Sequence, residues 1–417
     1  MEIVVFEDAA VRRLRPLVDL KPVYGLHAGC RSLLQKFRFY LGPHARLTCH
    51  LRRYLEPFYR DHLCVFRASG DPRRDILLVN GRLLCDARAA SLMLEDPPSP
   101  GQCLVQDGEM VFARVSEALF VPRGESVPDL IDTDSIMAGT QTVAVDGFPM
   151  IANLWDLVTL QPVELQRDAR TLGLGKITGA VSPEAVLVNP GNICVGEGAL
   201  VKPGAVLDAE DGFVYVSPGA VVEPQAVLSG NVFLGVSAKA KTGARIYNNV
   251  AIGNFSKAGG EIEDSVLESF SNKQHDGFLG HSYISSWCNL GAGTNTSDLR
   301  NNYGKVSLVI DGEQVCTGEQ FLGLLMGEHS KCSINSMFNT GTIAGTSANI
   351  FGAGFPPKNI PSFSWGGAGE GFTPYDVEKA VATARTVMAR RNVRMNAAYE
   401  SMFRYVESLE RAAKTSL

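Results

Sequence analysis

Between Gly259 and Gly304 the chain gathers residue types that can move a proton and hold an anion. His275 and His281 are two of only 7 histidines, and Lys273, Asn289, Asn302 and Tyr303 lie nearby. An imidazole, with an ordinary pKa of ~6.5, is a general base at neutral pH. Gly291 and Gly293 let a ligand come close to backbone N–H groups, which can hold the oxyanion of an acyl-transfer intermediate. A base for an amine and donors for an acyl oxygen together suit N-acyl transfer.

The elements that position these residues repeat with an unusual period. Aliphatic or small residues recur every six positions at Val195, Val201 and Leu207, then at Val216, Val222, Leu228, Leu234, Ala240, Ile246 and Ile252. The phase returns at Ile284 and Leu290, and again at Met326, Cys332, Phe338, Ala344 and Ile350. Six fits neither the 3.6 of a helix nor the 2 of an alternating strand. It is the period of a parallel β-helix with one inward residue per flat face. At about 18 residues per triangular coil, residues 176–365 supply roughly eight to ten coils. The period breaks between Asn254 and Ser282 and between Thr296 and Phe321, and such breaks predict excursions that build a binding site.

Residues 1–172 have a different character. Strand-like runs at Ile3–Phe6, Ile76–Val79 and Met110–Ala113 alternate with a helical stretch at Ser32–Tyr40, which predicts an α/β layer domain. The run 95–101 reads as a proline-rich linker. Arg12, Arg13, Arg15, Lys21, Arg31, Lys36 and Arg38 cluster inside a chain of net charge -5, a pattern suited to a phosphorylated small molecule rather than to nucleic acid. No apolar run approaches the ~20 residues of a membrane span, and no signal segment opens the chain, so a cytoplasmic location is expected. The 9 cysteines are scattered singly, without the spacing of a disulfide framework or a zinc site. After Trp365 a glycine-rich stretch leads to one helix expected from Pro374 to Ala412. The expected domains are 1–172, 173–365 and 366–417.

His275-Asp-Gly-Phe-Leu-Gly280, followed by Asn289-Leu-Gly-Ala-Gly-Thr294, resembles the acetyltransferase domain of the bacterial bifunctional enzymes that make UDP-N-acetylglucosamine. The runs Ser271–His275, Trp287–Thr294 and Ser297–Gly304 are similar to a divergent branch. That branch is the alternative UDP-N-acetylglucosamine diphosphorylase / glucosamine-1-phosphate N-acetyltransferase family. The resemblance implies that the β-helix is left-handed, that the protein is a homotrimer, and that acetyl-CoA is the co-substrate. It implies that His275 is the base, that Asn289 contacts the sugar, and that Asn302 and Tyr303 line the junction with the acetyl donor. Arg245 and Lys273 would hold phosphate, and Ala292 would offer its backbone to the thioester. The family's tyrosine three positions after the histidine is Phe278 here.

The N-terminal half resembles a sugar nucleotidyltransferase. Arg13-Leu-Arg-Pro-Leu-Val-Asp-Leu-Lys-Pro22 is similar to the family's Arg-Leu-x-Pro-Leu…Pro-Lys segment, and Leu77-Leu-Val-Asn-Gly-Arg82 to its Asn-Gly-Asp strand end. Arg13, Arg15, Lys21, Asn80 and Gly81 would then bind the nucleotide, a UTP-like triphosphate. Three features depart from the family: its glycine-rich loop is missing, Arg82 stands at its metal-binding aspartate, and Lys21 and Pro22 stand in reversed order. Nucleotidyl transfer ordinarily uses Mg²⁺ held by carboxylates, for which Asp86 and Asp19 are the candidates, with Asn153 standing for the family's second metal-side asparagine. The implied activity joins nucleotidyl transfer to a sugar 1-phosphate with N-acetylation of an aminosugar 1-phosphate. Two alternatives stand beside it: a nucleotidyltransferase with a purely trimerising β-helix, and a non-catalytic nucleotide-sugar binder.

Overall fold

The computed structural model describes residues 1–71, 73–121, 126–310 and 312–415. Two compact units divide it. The first comprises Met1–Leu26, Arg31–Leu154 and Ala397–Tyr405; the second comprises His27–Cys30, Trp155–Asn396 and the chain from Val406 onward.

The first unit is built on a six-stranded sheet: β1 (Glu2–Phe6), β2 (Leu47–Cys49), β3 (Asp75–Asn80), β4 (Gln102–Gln106), β5 (Glu109–Ser116) and β6 (Gln141–Ala144), in the order β2-β1-β3-β5-β4-β6. Strand β1 is parallel to both of its neighbours, and β5 runs antiparallel to both β3 and β4. All five residues of β1 are buried, as expected of a central strand covered on both faces. Val4, Phe6, Ile76, Leu78 and Ala113 face one hydrophobic cluster with Phe66, Phe120 and Ile136. The helix Leu33–Leu41 is opened by a capping box in which Ser32 and Gln35 exchange hydrogen bonds. The proline-rich run 95–101 is no linker: it joins the helix Ala87–Leu94 to β4 inside this unit.

The second unit is a parallel β-solenoid of about ten turns. Successive coils pair in register, so Val227 lies beside Arg245 and Leu228 beside Ile246. Every period-six position named above is buried in one continuous core, from Val195 to Ile350. Each valine, leucine or isoleucine among them contributes about 1.5–3 kcal/mol when removed from water. Residues 155–172 go with this unit because Leu165, on the helix Gln161–Ala169, packs against Phe213 and Ala251 on the outside of the solenoid.

The two breaks in the period differ physically. Across 254–282 the coils continue, but they shorten: Arg245 pairs with Glu261, and Glu261 with Phe278. The break therefore reflects tighter corners and not an excursion. Across 297–322 the chain does leave the solenoid, in an antiparallel pair formed by Ser307–Ile310 and Glu313–Cys316. Coils then resume at Leu324–Met326, paired with the coil of Tyr283.

The single C-terminal helix expected from the sequence is two helices, Val377–Ala389 and Ala397–Thr415. Asn392 takes a left-handed conformation (φ 57°), and the Val393 N–H returns to the carbonyl of Met388 at 3.0 Å. This is the Schellman stop, which asparagine tolerates better than most residues. The first helix also starts later than expected. Gly371–Pro374 forms a strand against Ser364–Gly367, and Asp376 caps the helix by accepting from the Lys379 N–H at 2.9 Å.

Candidate active sites

One ladder of the solenoid runs Lys239, Lys257, Asn272, Asn289 and Lys331 on successive coils. The corner that follows this ladder holds a cavity of about 460 Å³, lined by Thr242, Gln274, His275, Asp276, Ala292 and Asn335, among others. His275 is exposed at its rim, and no hydrogen bond fixes its ring among the described residues. Gly293 (φ 71°) belongs here because a Cβ would lie 2.1 Å from Asn335 Oδ1. The glycine thus lets the Asn335 amide close the cavity wall.

Lys273 turns inward, away from this cavity. It is 1% exposed, and its Nζ donates to the carbonyl of His275 at 2.7 Å and of Gly259 at 3.1 Å. Burial lowers its amine to about 8, with Asp276 opposing that shift. An ammonium so held supports the corner that carries His275; it is not presented to a phosphate in the cavity.

The remaining residues singled out from the sequence are more dispersed. Asn289 is half-buried on the same ladder as Asn272 and Lys331. Arg245 pairs with Glu261 at 3.1 Å on the face that carries Phe278 one coil further on. The hydrogen bond from Tyr247 keeps the Glu261 carboxyl below its usual range, aided by Arg245 and opposed by burial. Asn302 and Tyr303 sit on the excursion: the Asn302 side chain accepts from the Gly304 N–H at 3.1 Å, and Tyr303 is 69% exposed. Neither lines the His275 cavity. Thr242 and Asn335 do line it, and the sequence signalled them only as the corner positions of neighbouring coils.

In the first unit the strand end at Asn80-Gly81-Arg82 is an ion-pair network. Arg82 is 1% exposed, and its Nη2 lies 3.0 Å from Asp8 Oδ2 and 2.5 Å from Glu109 Oε2. Asn80 Nδ2 donates to Asp8 at 2.9 Å, and Arg13 also pairs with Glu109. Burial pushes the Glu109 carboxyl up, but Arg13 and Arg82 more than reverse this and hold it low. Gly81 is required because a Cβ would lie 2.7 Å from the Phe6 carbonyl oxygen.

Arg15 pairs with Asp19 at 2.7 Å, and Lys21 is buried. Asp86 accepts from the Ala89 N–H at 2.9 Å as a helix cap. Asn153 follows closely on Ile151, whose N–H bonds the Arg82 carbonyl at 2.9 Å. This donor set does not fit Mg²⁺. The Asp8 and Glu109 carboxylates already share a guanidinium, and no group of three or more His, Cys, Asp or Glu gathers to hold a metal among the described residues.

A nucleotidyltransferase-like α/β unit and a parallel β-solenoid define the class of this protein. Residues 3–177 match the family model described as sugar nucleotidyl transferase. The chain is 25% identical over 273 residues to the bifunctional sugar-1-phosphate nucleotidylyltransferase/acetyltransferase of Sulfurisphaera tokodaii, covering 63% of this chain and 61% of that protein. It is 29% identical over 168 residues to the bifunctional protein GlmU of Bartonella bacilliformis, covering 39% and 35% respectively. The chain thus aligns with less than two thirds of the length of these relatives. A solved structure of LpxA from Acinetobacter baumannii overlaps 57% of this chain and 83% of its own, at 14% identity and a TM-score of 0.24.

Proposed function

We propose that the protein is a bifunctional transferase of nucleotide-sugar synthesis, a UDP-N-acetylglucosamine-type pathway. The observation that carries this reading is the unencumbered His275 ring at the rim of a cavity whose wall includes the Ala292–Gly293 backbone. At that site an aminosugar 1-phosphate and acetyl-CoA meet. The His275 ring accepts a proton from the sugar amine as the nitrogen attacks the thioester carbonyl. The C–N bond forms, the C–S bond breaks, and the thiol leaves with a proton, giving the N-acetyl sugar phosphate and free CoA. The Ala292 N–H stabilises the oxyanion, its neighbours Gly291 and Gly293 donating instead to the carbonyls of Cys332 and Asp276, and Lys273 holds the His275 corner from behind. Asn289 orients the sugar and Arg245 assists the phosphate, while Asn302 and Tyr303 stand on the excursion, outside this cavity.

In the first unit Arg13, Arg15, Lys21, Asn80 and Gly81 bind a UTP-like nucleotide for transfer to a sugar 1-phosphate. Neither the carboxylates beside Arg82 nor Asp86, which caps its helix, forms a cage for Mg²⁺, so the positive charge facing the triphosphate is that of Arg13, Arg15 and Lys21. The protein acts as a homotrimer in the cytoplasm, and no helix among the described residues is long and apolar enough to cross a membrane. The Arg82 network favours a second reading for this half, nucleotide-sugar binding without transfer.

Thiol release from acetyl-CoA with glucosamine 1-phosphate and galactosamine 1-phosphate tests the first activity. His275→Ala lowers the rate by about 10²–10⁴. No release with any aminosugar phosphate overturns the acyltransferase reading. Pyrophosphate release from UTP, with and without Mg²⁺, decides between transfer and binding in the first unit.

A further inference from the structure

The excursion at 297–322 leaves a second cavity, of about 550 Å³, that shares no lining residue with the His275 cavity. Its wall comes from three places in the second unit. Arg300, Asn301 and Gln314 come from the excursion, Asn339 from the next coil, and Phe355 and Lys358 from the loop between the strands Asn349–Ile350 and Asn359–Ile360. The charged residues among the described lining are two cations, Arg300 and Lys358, and no carboxylate joins them.

Those two cations are spent only in part on the protein. Arg300 Nη1 donates to the Lys305 carbonyl at 2.8 Å, and Lys358 Nζ to the Ser307 carbonyl at 3.3 Å. A guanidinium has five N–H donors and an ammonium three, so both keep donors for a ligand. Burial and the positive charge of Arg300 hold the Lys358 ammonium below its ordinary range. A bound anion would relieve that repulsion. The amides of Asn301, Gln314 and Asn339 add neutral polar groups, and Phe355, 55% exposed, offers a ring face at the rim.

We propose that this cavity is a binding site for a phosphorylated small molecule with a planar ring, its phosphate held between Arg300 and Lys358 and its ring laid on Phe355. The excursion then has a purpose separate from the chemistry at His275, and the site stands whether or not His275 transfers an acyl group.

Equilibrium dialysis of the full chain with labelled ADP and with labelled pyrophosphate, at physiological salt, tests the site by difference. The double variant Arg300→Gln, Lys358→Gln loses one bound anion per chain, or weakens that binding at least about tenfold, with both probes. Asn339→Asp places a carboxylate in the wall and gives the same loss, which covers the case in which the double variant does not fold. Phe355→Ala weakens ADP several-fold and leaves pyrophosphate unchanged. Folded variants that bind both probes as the parent does would overturn the site. Equal effects of Phe355→Ala on the two probes would overturn its ring contact.

Discussion

The Lys273 ammonium donates to the main-chain carbonyl of His275 at 2.7 Å from a position 1% exposed to solvent. A charge buried for the sake of a backbone corner is a positioning device: burial has already lowered the amine to about 8. Lys273→Met removes both carbonyl contacts and loosens the corner that carries His275. The expected result is a fall in kcat of about 10–100-fold with little change in KM, since misplacement of a base costs rate more than binding. A merely structural role would lower the melting temperature and leave the kcat of the folded fraction unchanged.

Arg82 is the counter-ion of two carboxylates in the first unit, Asp8 and Glu109. Arg82→Ala leaves both without it, a change that costs about 3–5 kcal/mol at buried pairs. Urea unfolding at pH 7 measures this. Glu109 is held below its ordinary range, so its share of stability is present above that range and lost as pH falls through its lowered value. The difference between parent and variant therefore shrinks in acid. A difference independent of pH would contradict the assignment.

His281 gives the second unit a pH response of the opposite sense. Its Nδ1 lies 2.8 Å from Asp298 Oδ2 and its Nε2 3.8 Å from Asp264 Oδ2, with the ring stacked on Phe321 at 4.9 Å. Burial pulls its pKa down, but Asp298 and Asp264 outweigh that and leave it raised. A raised value means that the contribution is complete below the unfolded pKa of ~6.5 and is lost as pH rises through the folded value. Urea midpoints should decline over that window in the parent and lose that decline in His281→Asn. Parallel profiles would sink the idea.

The solenoid was legible because its signal is local and repeated. Each inward residue recurs after six positions, so Val195 through Ile350 declared one core without any knowledge of what lay beside them. The helix Leu33–Leu41 was legible for the same reason, since its cap Ser32 and its buried Leu34 and Phe37 lie within a few residues of one another. Likewise, His275 and Ala292 fall on corners of adjacent coils, and the structure brings them to one cavity.

What the tertiary structure decided depends on partners far apart in sequence. Nothing near Arg82 announces that Glu109, on a different strand, neutralises it; the pairing follows from sheet order and register. Lys273 and His275 are two residues apart, and yet the coil geometry sends one side chain inward and leaves the other at the surface. The shortened coils at 254–282 looked like an excursion, because a change of corner length destroys a six-residue period as fully as an insertion does. Sequence alone determined which periodic aliphatic residues must be buried. Only the folded chain determined which charges meet, because Coulomb interactions and hydrogen bonds act over a few ångströms of space and are indifferent to distance along the chain.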